Sequence, residues 1–317
     1  MSEWQDVVIE DLCSEITDCV NKTAPSVDYV TPYKMIRTTN IKQGRINLDE
    51  VRYVTEETYN TWIRRGAPQL EDIILTREAP VGEVGMIRTL EKVFLGQRTM
   101  MYRADRTKAD PYFLYYAFQT EAVQEQIHSA GMGSVVEHVR VPDAKKFKIS
   151  TPPLSEQKAI ASVLSSLDDK IDLLHRQNKT LEAMAETLFR QWFIEEAKED
   201  WTFKPLSSIA TFTNGLACQK FPPQPNEPKL PVLKIKDLTS GISDTSDWAT
   251  ANVDSKYLVN HGDVIFAWSA SLMVKIWSGE TCVLNQHLFN VTSDEFPKWF
   301  YYQWCKYHLE EFISISQ

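Results

Sequence analysis

A long run of apolar positions at helical spacing dominates the middle of the chain. Unbroken steps of four and three residues connect Ile160, Leu164, Leu167, Ile171, Leu174, Asn178, Leu181, Ala185, Leu188 and Trp192. This is the a/d spacing of a coiled coil, and we call these residues the heptad seam. Pro152-Pro153 block a helix upstream, so Ser155 is the predicted N-cap. The pattern predicts a single helix of roughly 50 Å at 1.5 Å per residue.

The heptad seam favours a second helix as its partner. Strict a/d spacing is narrower than a helix needs against a globular surface, although an amphipathic helix lying on a flanking domain is the alternative. Asn178 is the one amide in the seam, and a buried amide of that kind penalises wrong registers. No second stripe like it exists in the chain. We expect an antiparallel partner helix from beyond Gln317 or from another chain.

The segments on either side of this helix resemble each other. Trp4 matches Trp201, Asp72 matches Asp263, Gln97 matches Gln286, and Tyr115-Tyr116 match Tyr301-Tyr302. The matching stretches are 33–46 with 230–242, 70–87 with 261–277, 93–105 with 282–294, and 110–131 with 296–317. Self-similarity of this kind indicates two diverged copies of one domain. The second copy stops at Gln317, the position that aligns with Gly131, and is therefore incomplete at its C-terminus.

Each copy is predicted to contain short strands followed by a helix. The strand candidates have alternating or β-branched residues between Gly, Pro and Asp: MIRTTNI, VLKIKDL, DIILT, DVIFAW, CVLNQHLFNV and VFLGQRTMMY. Asp110-Pro111 is a favourable helix start and Gly131 a favourable stop. The predicted fold class is mixed α/β, with similar domains at 1–150 and 199–317 joined by a long helix of coiled-coil type within 151–198.

Charge and composition narrow the class of protein. The net charge of −9 argues against a simple nucleic-acid binder, because phosphate contacts come mainly from Lys and Arg. All but two of the 13 arginines nevertheless lie within residues 1–150, so a local basic face is compatible with the sequence. No stretch is apolar enough to span a membrane and the acidic start does not resemble a secretory signal, which predicts a cytoplasmic protein. Five scattered cysteines predict neither disulfides nor a metal site.

The run PPLSEQKAIASVLSSLDDKIDLLHRQNKTLEAMAETLFRQWF, at 152–193, resembles the central conserved region of type I restriction-modification specificity subunits. LEDIILTREAPVGEVGMI and FLYYAFQTEAVQEQIHSAGMGS are similar to that family's target recognition domains. The resemblance implies a non-catalytic subunit in which each recognition domain reads one half of a bipartite double-stranded DNA target. It also implies that paired conserved helices set the spacing and dock methyltransferase subunits, to which nuclease-translocase subunits attach. The distal conserved helix of the family is absent, so self-association through the unpaired helix is a further expectation.

Candidate DNA contacts follow from residue type and position. In the first copy they are Arg37, Lys42, Gln43, Arg45, Arg77, Gln97, Arg98 and Ser134. In the second copy, which has no arginine, they are Lys234, Lys236, Trp268, Ser269, Gln286 and His287. Arg reading guanine, and Gln reading adenine, are standard contacts with base edges. Solvated surface charge or a structural ion pair is the alternative for each basic residue, a plain turn for Ser134, and a shared structural hydrogen bond for Gln97 and Gln286.

An enzyme is not predicted. TPPL at 151–154 fails both ends of the Asn/Asp-Pro-Pro-aromatic motif of amino-methyltransferases, and no phosphate-binding glycine loop is present. Asp72 and Glu83 lack the lysine that a nuclease metal site would place two positions later. We therefore expect no catalytic residue and no cofactor. The competing hypothesis is a coiled-coil adaptor whose twin domains bind other proteins, supported mainly by the acidic charge.

Overall fold

The structure is a computed structural model that describes residues 4–132 and 137–316. The chain divides into two compact units, which we call the first unit (residues 1–177) and the second unit (178–317). The division falls inside the long helix, whereas the sequence placed the boundaries at the helix ends. Each unit therefore includes part of the helix as well as a globular domain. No helix of the described residues is long and apolar enough to cross a membrane.

The first unit is rich in short strands. Its elements in chain order are β1 (Gln5–Val8), α1 (Ile9–Leu12), β2 (Cys13–Asp18), β3 (Tyr33–Ile36), β4 (Ile41–Lys42), β5 (Arg45–Ile46), β6 (Arg52–Tyr53), α2 (Glu56–Trp62), β7 (Ile73–Arg77), β8 (Val81–Met86), β9 (Lys92–Leu95), β10 (Thr99–Ala104), α3 (Pro111–Ala117), α4 (Glu121–Gly131), α5 (Val141–Ala144) and β11 (Lys148–Thr151). The long helix α6 (Leu154–Arg190) follows and continues as a π-helical turn, Gln191–Glu195.

The second unit is built from fewer elements. They are β12 (Thr211–Asn214), β13 (Lys229–Leu233), α7 (Asp237–Ser240), β14 (Trp248–Thr250), β15 (Leu258–Val259), β16 (Val264–Ala267), β17 (Met273–Ile276), β18 (Cys282–Leu284), β19 (Leu288–Thr292), α8 (Lys298–Tyr307) and α9 (Leu309–Ser316). Short 3-10 turns lie at Thr38–Asn40, Ile63–Arg65, Leu206–Ser208, Cys218–Lys220 and Ser255–Tyr257. This mixture of strands and helices confirms the predicted α/β fold class.

Both units share one sheet topology. A four-stranded antiparallel sheet has the order β2-β10-β7-β8 in the first unit and β12-β19-β16-β17 in the second. A second sheet has the order β6-β3-β9 in the first unit and β14-β13-β18-β15 in the second. Within it β3 pairs in parallel with β9, and β13 pairs in parallel with β18. The strands that match in sequence therefore occupy matching places in the two sheets.

The cores follow from the alternation along these strands. In the first unit, one face of the four-stranded sheet packs against α3 and α4, with Leu75, Tyr102 and Phe118 among the buried side chains. Ile74 and Met101 point to the opposite face and pack with Ile36 and Leu95 of the second sheet. Because side chains alternate across a strand, β7 and β10 are buried on both faces, which makes this sheet a rigid platform.

Several local predictions need correction. MIRTTNI is not one strand, because Asn40 accepts a hydrogen bond from the backbone N–H of Arg37 and turns Thr38–Asn40 into a 3-10 helix. VFLGQRTMMY forms two strands, β9 and β10, because Gly96–Arg98 make a turn with Arg98 at φ +73°. CVLNQHLFNV likewise forms β18 and β19. VLKIKDL leaves β13 after Leu233 and enters α7, and α6 begins one residue before the predicted cap, Ser155.

Candidate nucleic-acid interface

Each unit ends its four-stranded sheet in two adjoining turns. In the first unit the backbone N–H of Arg77 donates to the carbonyl of Arg98 over 2.8 Å. In the second unit the backbone N–H of Trp268 donates to the carbonyl of His287 over 3.4 Å. We call residues 78–80 with 97–98 the first sheet-end turn and residues 269–271 with 286–287 the second sheet-end turn. Both lie just beyond the buried pairs Thr76–Thr99 and Ala267–Leu288, at the same place in the fold.

A side-chain contact closes each sheet-end turn. Arg98 Nε lies 3.1 Å from Glu78 Oε1 in the first, and Ser269 Oγ lies 3.1 Å from His287 Nδ1 in the second. Arg98 and His287 are exposed. The rigid sheet thus presents polar side chains to solvent at one edge of each unit, which is what recognition of a polar ligand requires.

The β4–β5 turn carries further candidates of the first unit. Lys42 and Gln43 are exposed there, and the backbone N–H of Gln43 donates to Glu83 Oε2 over 3.0 Å. Arg37 is half-buried, and its Nη2 donates to the carbonyl of Glu50 over 3.3 Å. Lys42 and Gln43 are therefore accessible to a ligand, whereas Arg37 binds the backbone of the loop at Glu50. Ser134 lies outside the described residues.

Two candidate arginines of the first unit, Arg77 and Arg45, make hydrogen bonds within the protein. Arg77 is buried, and its Nη1 donates to the carbonyl of Val139 over 3.2 Å. Arg45 Nη2 and Nη1 donate to Asp168 and Asp172 of α6 over 3.0 and 3.1 Å. A buried guanidinium would have to leave the core to reach DNA, and Arg45 would have to leave two carboxylates. We therefore do not retain Arg77 or Arg45 among the proposed DNA contacts.

The candidates of the second unit border a concave surface. A cavity of about 600 Å³ is lined by Lys234, Lys236, Trp248, Gln286 and His287 together with neighbouring residues of β13 and the 3-10 turn at 218–220. Lys234 binds Asp247, and the hydrogen bond from this lysine lowers the pKa of Asp247. Lys236 is exposed, so its ammonium is the more accessible charge. The cavity combines hydrogen-bond donors, hydrogen-bond acceptors and an indole ring. Protein surfaces that bind nucleic acids use the same kinds of group.

Trp268 lies outside this cavity at the end of β16. Its ring centroid is 6.0 Å from that of His287 and 6.0 Å from that of Phe289. The indole is 42% exposed, so one part packs on the sheet and the rest meets solvent. Trp268 therefore supports the second sheet-end turn from one side.

Sequence reasoning did not find four residues that organise these surfaces: Glu78, Arg88, Asp168 and Asp172. Arg88 Nη2 and Nη1 donate to Asp168 and Asp172 over 3.0 and 3.3 Å, beside the same contacts from Arg45. The hydroxyl of Tyr116 also donates to Asp168, over 2.9 Å. Burial, and then this hydrogen bond, raise the pKa of Tyr116 well above its usual value, so the hydroxyl remains a donor. One signal was available: Asp168 and Asp172 are four residues apart and share a helix face outside the heptad seam.

The heptad seam lies on the surface. Its six large apolar residues from the middle onward are each 40 to 60% exposed: Leu167, Ile171, Leu174, Leu181, Leu188 and Trp192. Asn178 and Ala185 are exposed as well, while Ile160 and Leu164 are half-buried. Ile160 packs on the core of the first unit. From Leu167 onward the seam therefore has no cover from the described residues, and the alternative of a helix whose apolar stripe lies on a flanking domain does not apply to that part.

The end of the long helix joins the second unit through aromatic contacts. Phe189 is 4% exposed, and its ring centroid lies 5.0 Å from that of Trp304 in an edge-to-face arrangement. Phe193 lies 5.3 Å from Phe300, also edge to face. Neither phenylalanine belongs to the heptad seam. The helix thus uses different side chains for its own domain contact and for the exposed stripe.

The potential metal ligands are dispersed, and the cysteines are free thiols, in the part of the chain that the structure describes. No cluster of three or more His, Cys, Asp or Glu side chains in residues 4–132 and 137–316 could hold a metal ion. Burial raises the pKa of Cys13, Cys282 and Cys305 to about 12. A thiol with so high a pKa is scarcely ionised at neutral pH and is a poor nucleophile. These cysteines are packing residues.

Two units with one sheet order, each containing part of one long helix and a polar turn at the end of its four-stranded sheet, define a protein with two similar domains. The chain belongs to the family described as "Type I restriction modification DNA specificity domain", which it matches over residues 1–183 and 198–317. Both units fall within the match. This confirms the family resemblance inferred from the sequence.

Known relatives extend this result. The chain is 26% identical over 289 residues to the type I restriction enzyme MjaIX specificity subunit of Methanocaldococcus jannaschii, covering 83% of this chain and 66% of the relative. It is 31% identical over 112 residues to the putative MjaX specificity subunit of the same organism, covering 35% of this chain and 25% of the relative. The chain thus spans just under two thirds of the MjaIX subunit and less of the other.

A solved structure shows the same fold. It is the S subunit of a type I restriction-modification system from M. genitalium, with a TM-score of 0.55 and 15% sequence identity. The similarity covers 99% of this chain and 79% of that one.

Proposed function

We propose that this chain is the DNA sequence-specificity subunit of a type I restriction-modification complex and has no catalytic activity of its own. Each unit reads one half of a bipartite double-stranded DNA target. The observation that carries the proposal is that two units with the same sheet order both fall within the match to a DNA specificity domain. A protein with two such domains is suited to recognition, with the chemistry supplied by other subunits.

The charge distribution is compatible with this role. Exposed Lys42, Arg98 and Lys236 lie on or near the proposed DNA surfaces, while the overall charge is −9. Phosphate neutralisation supplies most sequence-independent DNA affinity, so an acidic chain binds DNA weakly by itself. Partner subunits would supply the missing positive charge. We therefore propose that tight binding is a property of the assembled complex.

The heptad seam is proposed to pair with an antiparallel helix of the same pattern. We propose a second copy of this chain as the source of that helix. Asn178 lies near the middle of the seam, and in an isologous pair with its two-fold axis there, Asn178 meets Asn178. Each Asn178 amide then donates a hydrogen bond to the other. An asparagine buried beside leucine would destabilise the helix pair, so this residue fixes the register of the two helices. A paired rod of fixed length would set the spacing between the two half-sites.

The helix pair is also the proposed docking site for methyltransferase subunits. The nuclease-translocase subunits would join the complex through them, in the cytoplasm. Apolar residues outside the a/d positions support a further contact: Val163, Leu173 and Met184 are between 40% and 61% exposed on α6. A helix that pairs on one face and still exposes apolar residues on another can bind a second kind of partner.

The proposal is tested by reconstitution. The chain is co-expressed with a methyltransferase subunit of a type I restriction-modification system, and DNA of random sequence is exposed to the purified complex. Methylated positions are then read by direct sequencing. We expect methylation at a single split motif, with two specified parts separated by a fixed number of unspecified base pairs. Methyltransferase without this chain is the control and should show no such motif.

The adaptor hypothesis makes the opposite forecast for the same assay. A coiled-coil adaptor would bind the methyltransferase, or another protein, without imposing a sequence. Methylation independent of this chain, or a complex with no preferred motif, would contradict the proposed function. The family match does not support the adaptor hypothesis, because an adaptor function does not explain why both units resemble DNA specificity domains.

A further inference from the structure

The two sheet-end turns share a left-handed residue at the matching position. Ala79 has φ +50° and Ala270 has φ +57°, and these two alanines are matching residues of the repeat. Non-glycine residues rarely adopt the left-handed region, and when they do the surrounding structure must hold them there. A left-handed alanine at the same position in both units indicates that each turn is built to place particular side chains.

The first sheet-end turn presents an arginine in an oriented state. Arg98 Nε is bound to Glu78 Oε1 over 3.1 Å, and its backbone N–H donates to Cys19 Sγ over 3.2 Å. Within residues 4–132 and 137–316, its Nη1 and Nη2 groups have no hydrogen-bond partner. Among the described residues the guanidinium is therefore held at Nε and open at Nη1 and Nη2. Paired N–H donors of this kind match the O6 and N7 acceptors of guanine.

The second sheet-end turn presents an amide instead. Ser269 Oγ contacts His287 Nδ1 over 3.1 Å, and His287 Nε2 lies 3.3 Å from Gln286 Nε2. With the ring proton on Nδ1, the histidine donates to Ser269 and accepts from Gln286. Gln286 Oε1 then remains without a partner in the described part of the chain, and one amide N–H also stays free. A glutamine with a free donor and a free acceptor side by side matches N6 and N7 of adenine.

The matching glutamine of the first unit is already engaged. Gln97 Oε1 accepts a hydrogen bond from Thr23 Oγ1 over 3.0 Å. One lone pair of the Gln97 amide oxygen is therefore already engaged, and Thr23 orients this amide. The two turns occupy the same place but offer different chemistry.

We infer that the sheet-end turns are the base-reading elements of the two units, and that the first reads a guanine through Arg98 while the second reads an adenine through Gln286. This inference rests on the proposed function and names the chemistry of its site. Glu78 is a positioning residue for Arg98, and Ser269 with His287 positions Gln286. None of the three positioning groups needs to touch a base.

Two substitutions test the inference by changing the base that is preferred. Arg98→Gln replaces two donors with a donor and an acceptor, so the preference at one position of one half-site should change from guanine to adenine. Gln286→Glu leaves only acceptors, so the preference at one position of the other half-site should change from adenine to cytosine. Each change is measured in the reconstituted complex on random-sequence DNA, as the ratio of methylation for the two bases. We expect each ratio to change by about tenfold or more.

Matched control substitutions distinguish the loss of a base contact from the loss of the folded structure. Arg64→Gln removes another exposed arginine of the first unit, and Gln224→Glu alters an exposed glutamine of the second. Both should leave the motif unchanged. Glu78→Gln should weaken the preference for guanine at the Arg98 position without replacing it, and should leave the other half-site as it was. Thermal unfolding of each variant verifies that it is folded.

The outcomes are distinguishable. If the wild-type complex methylates a split motif and both folded variants methylate that same motif, the inference is wrong while the proposed function stands. Equal loss at both half-sites in either variant also overturns it, because a base contact acts on one half only. If Arg98→Gln fails to fold, Gln286→Glu decides the inference alone. If the wild-type complex methylates DNA without a preferred motif, that result refutes the proposed function, on which the inference rests.

Discussion

Arg88 and Asp168 are 80 residues apart in the sequence, yet Arg88 Nη2 donates to Asp168 Oδ2 over 3.0 Å. Arg45 donates to the other carboxylate oxygen over 3.0 Å, and Tyr116 adds a third hydrogen bond. Asp172, one turn further along α6, accepts from both arginines as well. Two forked cations on two carboxylates fix both the position and the rotation of this part of the helix within the first unit.

Asp168→Asn should loosen this attachment. The arginines and Asp168 are at least two thirds buried, so loss of the charge weakens hydrogen bonds that are poorly replaced by water. We expect the free energy of unfolding of the first unit to fall by about 1–3 kcal/mol, measured by chemical denaturation. Asp169→Asn is the matched control, because its carboxylate is 76% exposed and 3.8 Å from Arg88. It should change stability by less than about 0.5 kcal/mol. Equal effects of the two substitutions would show that Asp168 does not anchor the helix.

Leu174→Asp should abolish pairing through the heptad seam. Leu174 is at a d position, where a carboxylate would be buried against the partner helix without a counter-charge. Because burial of an unpaired charge costs several kcal/mol, the two helices should not associate. We expect the protein to elute as a smaller species, with a monomer mass by light scattering, while the far-ultraviolet circular dichroism is unchanged. Leu173→Asp provides a close control, because this neighbouring leucine is 40% exposed, against 43% for Leu174, and lies outside the seam. Identical masses for the two variants would contradict pairing through the seam.

Phe189→Ala should destabilise the second unit. This side chain is buried against Trp304, and truncation leaves a cavity in the aromatic cluster. We expect a loss of about 3–5 kcal/mol in the free energy of unfolding, measured by tryptophan fluorescence in denaturant. Trp192→Ala, three residues on and half exposed, should change the stability of the unpaired chain by less than about 1 kcal/mol. A small effect at Phe189 would mean that the helix end is not part of the core of that unit.

Lys236→Ala should reduce the salt dependence of DNA binding. Each phosphate contact adds roughly 0.9 to the slope of log affinity against log salt concentration. We expect the magnitude of the slope to fall by about 1 for both specific and random DNA, measured by fluorescence anisotropy on the reconstituted complex. Lys256→Ala removes a lysine of the same unit that lies 3.5 Å from Asp254, and it should leave the slope unchanged. No change at Lys236 would remove this lysine from the proposed DNA surface.

The sequence predicted features that depend on one element at a time. The heptad seam is a property of a single helix, so its spacing shows directly which residues share a face, and those from Leu167 onward are exposed together. The fold class followed from the two copies of short strands. Family membership followed from the run at 152–193, which carries enough fixed positions to be specific.

Contacts between distant segments were not predictable. Arg45 resembled a DNA-contacting residue because a strand-to-turn arginine has the same local pattern whether it faces solvent or another element. Its partner Asp168 lies 123 residues away, and nothing in either segment indicates the other. The same holds for Arg77, which is buried and donates to the carbonyl of Val139, 62 residues away. The predicted strand VFLGQRTMMY concealed a turn because Gln97 and Arg98 interrupt an apolar pattern only briefly.

The residues that bind α6 and the residues that form the sheet-end turns belong to separate sets. Arg45, Arg88 and Tyr116 reach Asp168, while Arg98 contacts Glu78 and Cys19. Mutations can therefore accumulate in one set without loosening the other. For a specificity subunit of the proposed kind, new target sequences would then arise from drift at a few surface positions, while the attachment of the helix stays as it is.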